Sequence, residues 1–140
     1  MQVLYTAEAL ATGDGRNGRA RTTDGKIDLA LSFPKEMGGS GQGTNPEQLF
    51  AAGYAACFHS ALRMIGGQAK ANIDDSAVGA RVGLGSNDEG GFALEVTLEV
   101  SLPNLSREQA QELADAAHKV CPYSNATRGN IDVRVVVAED

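Results

Sequence analysis

The sequence contains no tryptophan, and aromatic residues make up only 5% of it. A platform that stacks successive bases needs more aromatic surface than that. Basic residues are also in short supply: 12 Lys and Arg stand against 18 Asp and Glu, a formal net charge of -6. A general nucleic-acid binder displaces counterions with a surplus of cations, so that class is excluded. No apolar run approaches the roughly 20 residues needed to cross a bilayer, and no membrane partner is expected. Residues 1–6 lack a basic start followed by an apolar block, so no signal peptide is read there and a cytoplasmic location is expected. What remains, with 42% hydrophobic and 21% charged residues among 140, has the composition of one soluble globular domain spanning 1–140. Cysteine occurs twice, as Cys57 and Cys121. A structural disulfide is unusual in a reducing compartment, so the two thiols are either inert and buried or chemically active.

The local pattern predicts an α+β fold in the order β-β-β-α-β-β-α-β, mainly antiparallel sheets packed on two principal helices. Alternation over residues 4–10 suggests a first strand, followed by the turn-rich segment 13–18. Segments 19–22 and 27–33 flank Asp24-Gly25, a hairpin signal. After the glycine-rich connector 38–43, Thr44 or Asn45 can cap a helix with Pro46 in its first turn, Glu47 completing a capping box with Thr44. Gly66-Gly67 is expected to stop that helix near residue 64 or 65. Strands follow over 77–84 and 92–102, with Val96, Leu98, Val100 and Leu102 on one face. Ser106 and Gln109 form a second capping box at the head of a helix that ends near Cys121-Pro122, and a last strand covers 131–138.

On the first helix, Leu49, Gly53, Ala56, Cys57, Ser60, Ala61 and Met64 follow three- and four-residue spacing, which puts Cys57 in the apolar stripe. On the second, Ala110, Leu113, Ala114, Ala117, Val120 and Cys121 do the same. Both thiols therefore point inward, and face-to-face packing of the helices can bring them together. A thiol with only apolar neighbours is inert; a reactive one needs a cation beside it. Cys57 lies too deep in its helix to use the N-terminal dipole. Arg16 is a candidate cation, and Glu47 could fix its guanidinium by a bidentate pair. For either residue a solvated surface charge is the plain alternative.

Three stretches, Arg16-Asn17-Gly18-Arg19, residues 44–58 (TNPEQLFAAGYAACF) and residues 120–130 (VCPYSNATRGN), together resemble the organic hydroperoxide resistance (Ohr) proteins, a branch of the OsmC-like superfamily. The resemblance runs over nearly the whole chain, and residues 73–89 add little to it. It implies an intertwined homodimer of OsmC/Ohr-like fold with two sites at the subunit interface. It also implies a thiol peroxidase that reduces alkyl and lipid hydroperoxides to alcohols, an antioxidant function with no bound cofactor. An external dithiol, dihydrolipoamide or a lipoylated protein, would recycle it. Carried over by position, Cys57 matches the peroxidatic cysteine, Cys121 the resolving one, Arg16 the activating arginine and Glu47 the glutamate that holds it. His59 receives no role.

That chemistry makes three demands. The sulfur must be ionised near neutral pH, which Arg16 can promote. The leaving oxygen needs positive charge or a proton, which a guanidinium's donors can serve. The sulfenic acid must be trapped by a nearby thiol before further oxidation makes it irreversible. Glu47 and Cys57 are ten residues apart, roughly 15 Å along a straight helix at about 1.5 Å per residue. Arg16 and Glu47 are therefore expected to reach Cys57 from the partner chain, unless the first helix is interrupted near Gly53. Apolar walls drawn from Phe33, Phe50, Phe58 or Met64 would favour substrates with a tail to bury.

Two rival readings stand beside this one. Cys57, His59, His118 and Cys121 are a legitimate zinc ligand set, but Cys57 and His59 diverge by about 200° on an intact helix, so no metal is expected. Alternatively, the chain is a non-catalytic binder of small ligands with inert thiols. A phosphate loop at residues 38–44 lacks the required Lys before Thr44, and the sequon at Asn125 is coincidental without secretion.

Overall fold

The computed structural model describes residues 1–139. The chain forms two compact units, Met1–Leu49 and the remainder from Phe50.

The first unit holds strands β1 (Ala9–Thr12), β2 (Arg19–Thr22) and β3 (Asp28–Ala30), antiparallel in that order. The β2–β3 hairpin turns at Asp24-Gly25 as expected: Asp24 Oδ1 accepts from the Lys26 N–H at 3.0 Å, and Gly25 takes φ +75°. The first strand begins later than its alternation suggests. A strand exists only where a neighbour supplies N–H and C=O groups, and pairing with β2 ends at Ala9↔Thr22, beyond which the chain turns into the hairpin. Val3, Leu4 and Tyr5 are left exposed.

Helix α1 (Pro46–Gln68) starts in the first unit and continues into the second without a break, so the interruption considered near Gly53 does not occur. Asn45, one of the two candidate caps, is the one used, but the expected Thr44–Glu47 box does not form. Gln48 closes the box with Asn45 instead: the Gln48 N–H donates to Asn45 Oδ1 at 2.8 Å and the Asn45 N–H to Gln48 Oε1 at 3.2 Å. Glu47 is thereby left free of capping. Nor does Gly66-Gly67 end the helix. Gly66 is buried, and a Cβ there would stand 2.5 Å from Ile73 Cγ2. The glycine admits a close approach instead, and the chain departs only at Lys70, with φ +55°.

The second unit also contains β4 (Ala77–Ser86), β5 (Phe92–Ser101), α2 (Arg107–Val120), the short helix α3 (Pro122–Thr127) and β6 (Val133–Val137). β4 and β5 form the expected antiparallel hairpin, but β6 lies parallel to β5, with Val96↔Val133 through Val100↔Val137 in register. The helical crossover between them returns the chain to the starting edge, the connection a parallel neighbour requires. The Ser106–Gln109 box forms as read. Pro122, at the first position of α3, starts a new helix. Val96, Leu98 and Val100 of β5, with Leu102 just beyond it, join Tyr54, Phe58 and Leu62 of α1, Ala110, Leu113, Ala114 and Ala117 of α2, and Cys121 just beyond α2 in one core.

The two adjacent glycines of α1 should respond oppositely to alanine. Gly67→Ala, with nothing within 4 Å of the new methyl, is expected to stabilise by up to about 1 kcal/mol through helix propensity. Gly66→Ala is expected to destabilise by about 1–2 kcal/mol, overpacking against Ile73 outweighing the same gain. Denaturant midpoints at constant slope measure both, and equal shifts would contradict the close-approach role.

Candidate active site

Arg16 sits in the single turn of 3-10 helix Gly15–Asn17 that links β1 to β2. Backbone bonds fix that turn to the entry of α1. The Leu31 N–H donates to the Gly18 carbonyl at 2.9 Å, Ser32 N–H to the Thr44 carbonyl at 3.0 Å, and Thr44 N–H to the Ala30 carbonyl at 3.0 Å. Asn17 Oδ1 adds an acceptor for the Phe33 N–H at 3.3 Å. Gly18 has no room for a side chain, since a Cβ would fall 2.1 Å from the Thr12 carbonyl oxygen. Three residues beyond Thr44, Glu47 meets Arg16 in a bidentate pair: Nη1 donates to Oε2 at 2.8 Å and Nη2 to Oε1 at 2.7 Å. The side chains are 31% and 17% exposed, so the pair is only partly screened by water. The Arg16 hydrogen bonds hold the Glu47 carboxyl below the usual carboxylate range against the opposing effect of burial, and the same contact raises Arg16. The guanidinium still has donors to spare.

Cys57 and Cys121 belong to the second unit. Cys121 is fully buried where α2 gives way to α3, and its thiol donates to Cys57 Sγ at 3.6 Å. Both are free thiols. Cys57 is not in the middle of a buried stripe, as its spacing suggested, but on the edge of one. The large side chains Tyr54, Phe58 and Leu62 set the buried face, and Ala52, Ala56, Ser60 and Met64 are exposed. Cys57 is half-buried beside them, and Val120 is likewise exposed on α2. Phe58 is wholly in the core, which removes it from the candidate pocket walls. Burial pushes the Cys57 thiol up, and the Cys121 thiol beside it adds to that. The backbone N–H of Tyr123 works the other way by hydrogen bonding to the sulfur. None of these groups is a cation, so among the described residues of its own unit none brings the sulfur an activating charge.

Residues outside the expected set order the surroundings of the thiols. Gly53 lets Tyr123 lie against α1, a Cβ there falling 3.2 Å from its hydroxyl. The Tyr123 ring also packs near Phe50 and Tyr54, with centroids at 6.1 and 5.7 Å. Tyr54, Ser124 and Thr127 form a buried polar cluster that His118 joins. The four-residue spacing of Phe50, Tyr54, Phe58 and Leu62 is the sequence signal that marks this face. His59 and His118 bond to different serines, Ser76 at 2.9 Å and Ser124 at 2.8 Å. Among the described residues, no three His, Cys, Asp or Glu side chains are grouped as metal ligands, and no helix is long and apolar enough to cross a membrane.

The model of the OsmC-like protein family matches residues 39–136. The chain belongs to that family. It is 51% identical, over 98% of its length and 96% of the relative's, to an organic hydroperoxide resistance protein of Xanthomonas axonopodis pv. citri. The organic hydroperoxide resistance protein OhrB of Bacillus subtilis is 46% identical over 94% of this chain and 96% of its own. A crystal structure of an organic hydroperoxide resistance protein from Legionella pneumophila superposes with a TM-score of 0.93 at 48% identity, covering 99% of this chain and 100% of that one. Within the OsmC-like family, the chain therefore falls in the organic hydroperoxide resistance branch, whose α+β fold it shares.

Because folding lowers the Glu47 pKa, the ion pair stabilises the folded chain above the pKa of unfolded glutamate. That contribution is lost as pH falls through the folded value. Glu47→Gln should thus be less stable than wild type at neutral pH, with the gap closing in acid. Urea denaturation across pH checks this, and a gap independent of pH would mean that the pair carries no charge-dependent stability.

Proposed function

We propose that this protein is a cysteine-based peroxidase that reduces organic hydroperoxides to alcohols. The approach of the Cys57 and Cys121 sulfurs to 3.6 Å carries the reading. The Cys57 thiolate attacks one peroxide oxygen; the S–O bond forms, the O–O bond breaks, and the alkoxide leaves to become the alcohol with a proton from solvent. Cys57 is then a sulfenic acid, oxidised by the two electrons the peroxide has gained. Cys121 attacks the Cys57 sulfur, the S–S bond forms, and hydroxide departs with the Cys121 proton as water. The sulfurs close from 3.6 Å to about 2.0 Å, which needs only a small shift at the α2–α3 junction. An external dithiol, a dihydrolipoyl group free or on a protein, restores both thiols by exchange and leaves as its own disulfide.

The activating cation is Arg16, oriented by Glu47, and it comes from the partner subunit of a homodimer. Four observations support this. The Cys57 thiol is raised by burial with no cation acting on it. The Arg16–Glu47 pair is preformed and retains unused donors. Helix α1 is continuous, so Glu47 stays about 15 Å along the axis from the cysteine of its own helix. The exposed row Ala52, Ala56, Ser60 and Met64 and the unpaired apolar residues Val3, Leu4 and Tyr5 offer surface for a second copy to cover. A cytoplasmic setting, where lipoylated proteins reside, fits two unpaired thiols.

Substrate preference, cysteine variants, reductant choice and a mixed heterodimer test the reading. An alkyl hydroperoxide that buries two methylenes should exceed hydrogen peroxide in kcat/KM by about tenfold. Cys57→Ser should abolish turnover and Cys121→Ser should consume peroxide without forming the disulfide; dihydrolipoamide should sustain turnover where glutathione does not. For the subunit assignment, Arg16→Ala and Cys57→Ser chains are combined in one heterodimer. Action across the interface leaves one of its two sites whole, so activity returns; action within a chain leaves both sites broken and the mixture silent.

A further inference from the structure

The core of the second unit contains three buried hydroxyls in an otherwise apolar cluster. Tyr54 and Ser124 are fully buried and Thr127 is 6% exposed. Their hydrogen bonds have a fixed direction. Thr127 Oγ1 donates to the Ser124 carbonyl at 3.2 Å, so it accepts from the Tyr54 hydroxyl, also at 3.2 Å. With its proton so used, the Tyr54 oxygen accepts from Ser124 Oγ at 2.8 Å, and Ser124 Oγ in turn accepts from His118 Nδ1–H at 2.8 Å. Each hydroxyl has one proton and each proton one destination.

The chain of bonds connects three helices, His118 on α2, Tyr54 on α1, and Ser124 and Thr127 on α3. Cys121 is the single residue between α2 and α3, and Cys57 lies three residues along α1 from Tyr54. The bonds therefore span the junction at which the two sulfurs must close. Arg128 braces the far end of α3, donating to the His118 carbonyl and to Asn125 Oδ1. Apolar side chains of the same shape would fill this core without needing so many mutual partners; a fully satisfied polar network instead specifies one arrangement.

We propose that Tyr54 and Ser124 are positioning residues that hold Cys121 in line with Cys57, so that the sulfenic acid is trapped before a second hydroperoxide oxidises it. This rests on the peroxidase reading above. Loosening the network lets the Cys57 sulfenic acid persist. A second hydroperoxide then transfers an oxygen to it, giving sulfinic acid and another molecule of alcohol.

The test treats the reduced full-length protein with rising amounts of an alkyl hydroperoxide and measures the ratio of disulfide to Cys57 sulfinic acid by mass spectrometry. Ser124→Ala and Tyr54→Phe should each lower that ratio by about tenfold. Tyr54→Phe keeps the ring and so reads the hydroxyl alone should Ser124→Ala fail to fold. Val100→Ala, a core change in β5 outside the network, serves as the stability control and should keep the wild-type ratio. If it lowers the ratio equally, or if both network variants keep the wild-type ratio, the positioning role is overturned while the peroxidase reading stands. A wild-type protein that forms no Cys57–Cys121 disulfide with hydroperoxide overturns both.

Discussion

A sulfur held in an apolar setting is a poor nucleophile until a positive charge is brought to it. Cys57 is held in that way: burial and a neighbouring thiol favour its protonated form, opposed only by one backbone N–H. The same setting keeps a second thiol within reach, Cys121 Sγ standing 3.6 Å from Cys57 Sγ. In the proposed reading, accommodating an apolar hydroperoxide and ionising the thiol make opposite demands, which a cation already desolvated and oriented would reconcile.

The first unit holds one guanidinium already oriented, that of Arg16. A guanidinium at the end of a flexible side chain loses much rotamer freedom when fixed. Here the loss is offset in advance, because Glu47 engages two Arg16 nitrogens and leaves the remaining donors free. Glu47 is available because the Asn45–Gln48 box satisfies the start of α1 without it. The backbone bonds through Gly18, Leu31 and Thr44 then fix the separation between the two ion-pair partners. A local capping choice therefore leaves a carboxylate for the ion pair.

What could be read from the sequence was what depends on near neighbours. The Ser106–Gln109 box, the Asp24-Gly25 hairpin and the buried face of β5 each follow from a few adjacent residues, and each forms as expected. The face of α1 was harder to read, because its small residues follow helical spacing as well as its large ones do. Tyr54, Phe58 and Leu62 take the core because they have the greater apolar area to bury. The extension of α1 past Gly66 depends on Ile73, and the parallel placement of β6 depends on where a crossover lands. Neither is encoded by local pattern. The candidate site residues were read through likeness to a family and through the chemistry of Cys and Arg, and the structure pairs Arg16 with Glu47 and Cys57 with Cys121; the Tyr54–Ser124–Thr127 cluster emerges only when α1 and α3 are packed.

The most direct measurement follows the ultraviolet absorbance of the Cys57 thiolate against pH in a Cys121→Ser background, with and without Arg16→Ala. The account predicts ionisation below the ordinary thiol range when Arg16 is present and a clear upward shift when it is removed. A Cys57 thiol that ionises only above the ordinary range in both proteins would contradict it.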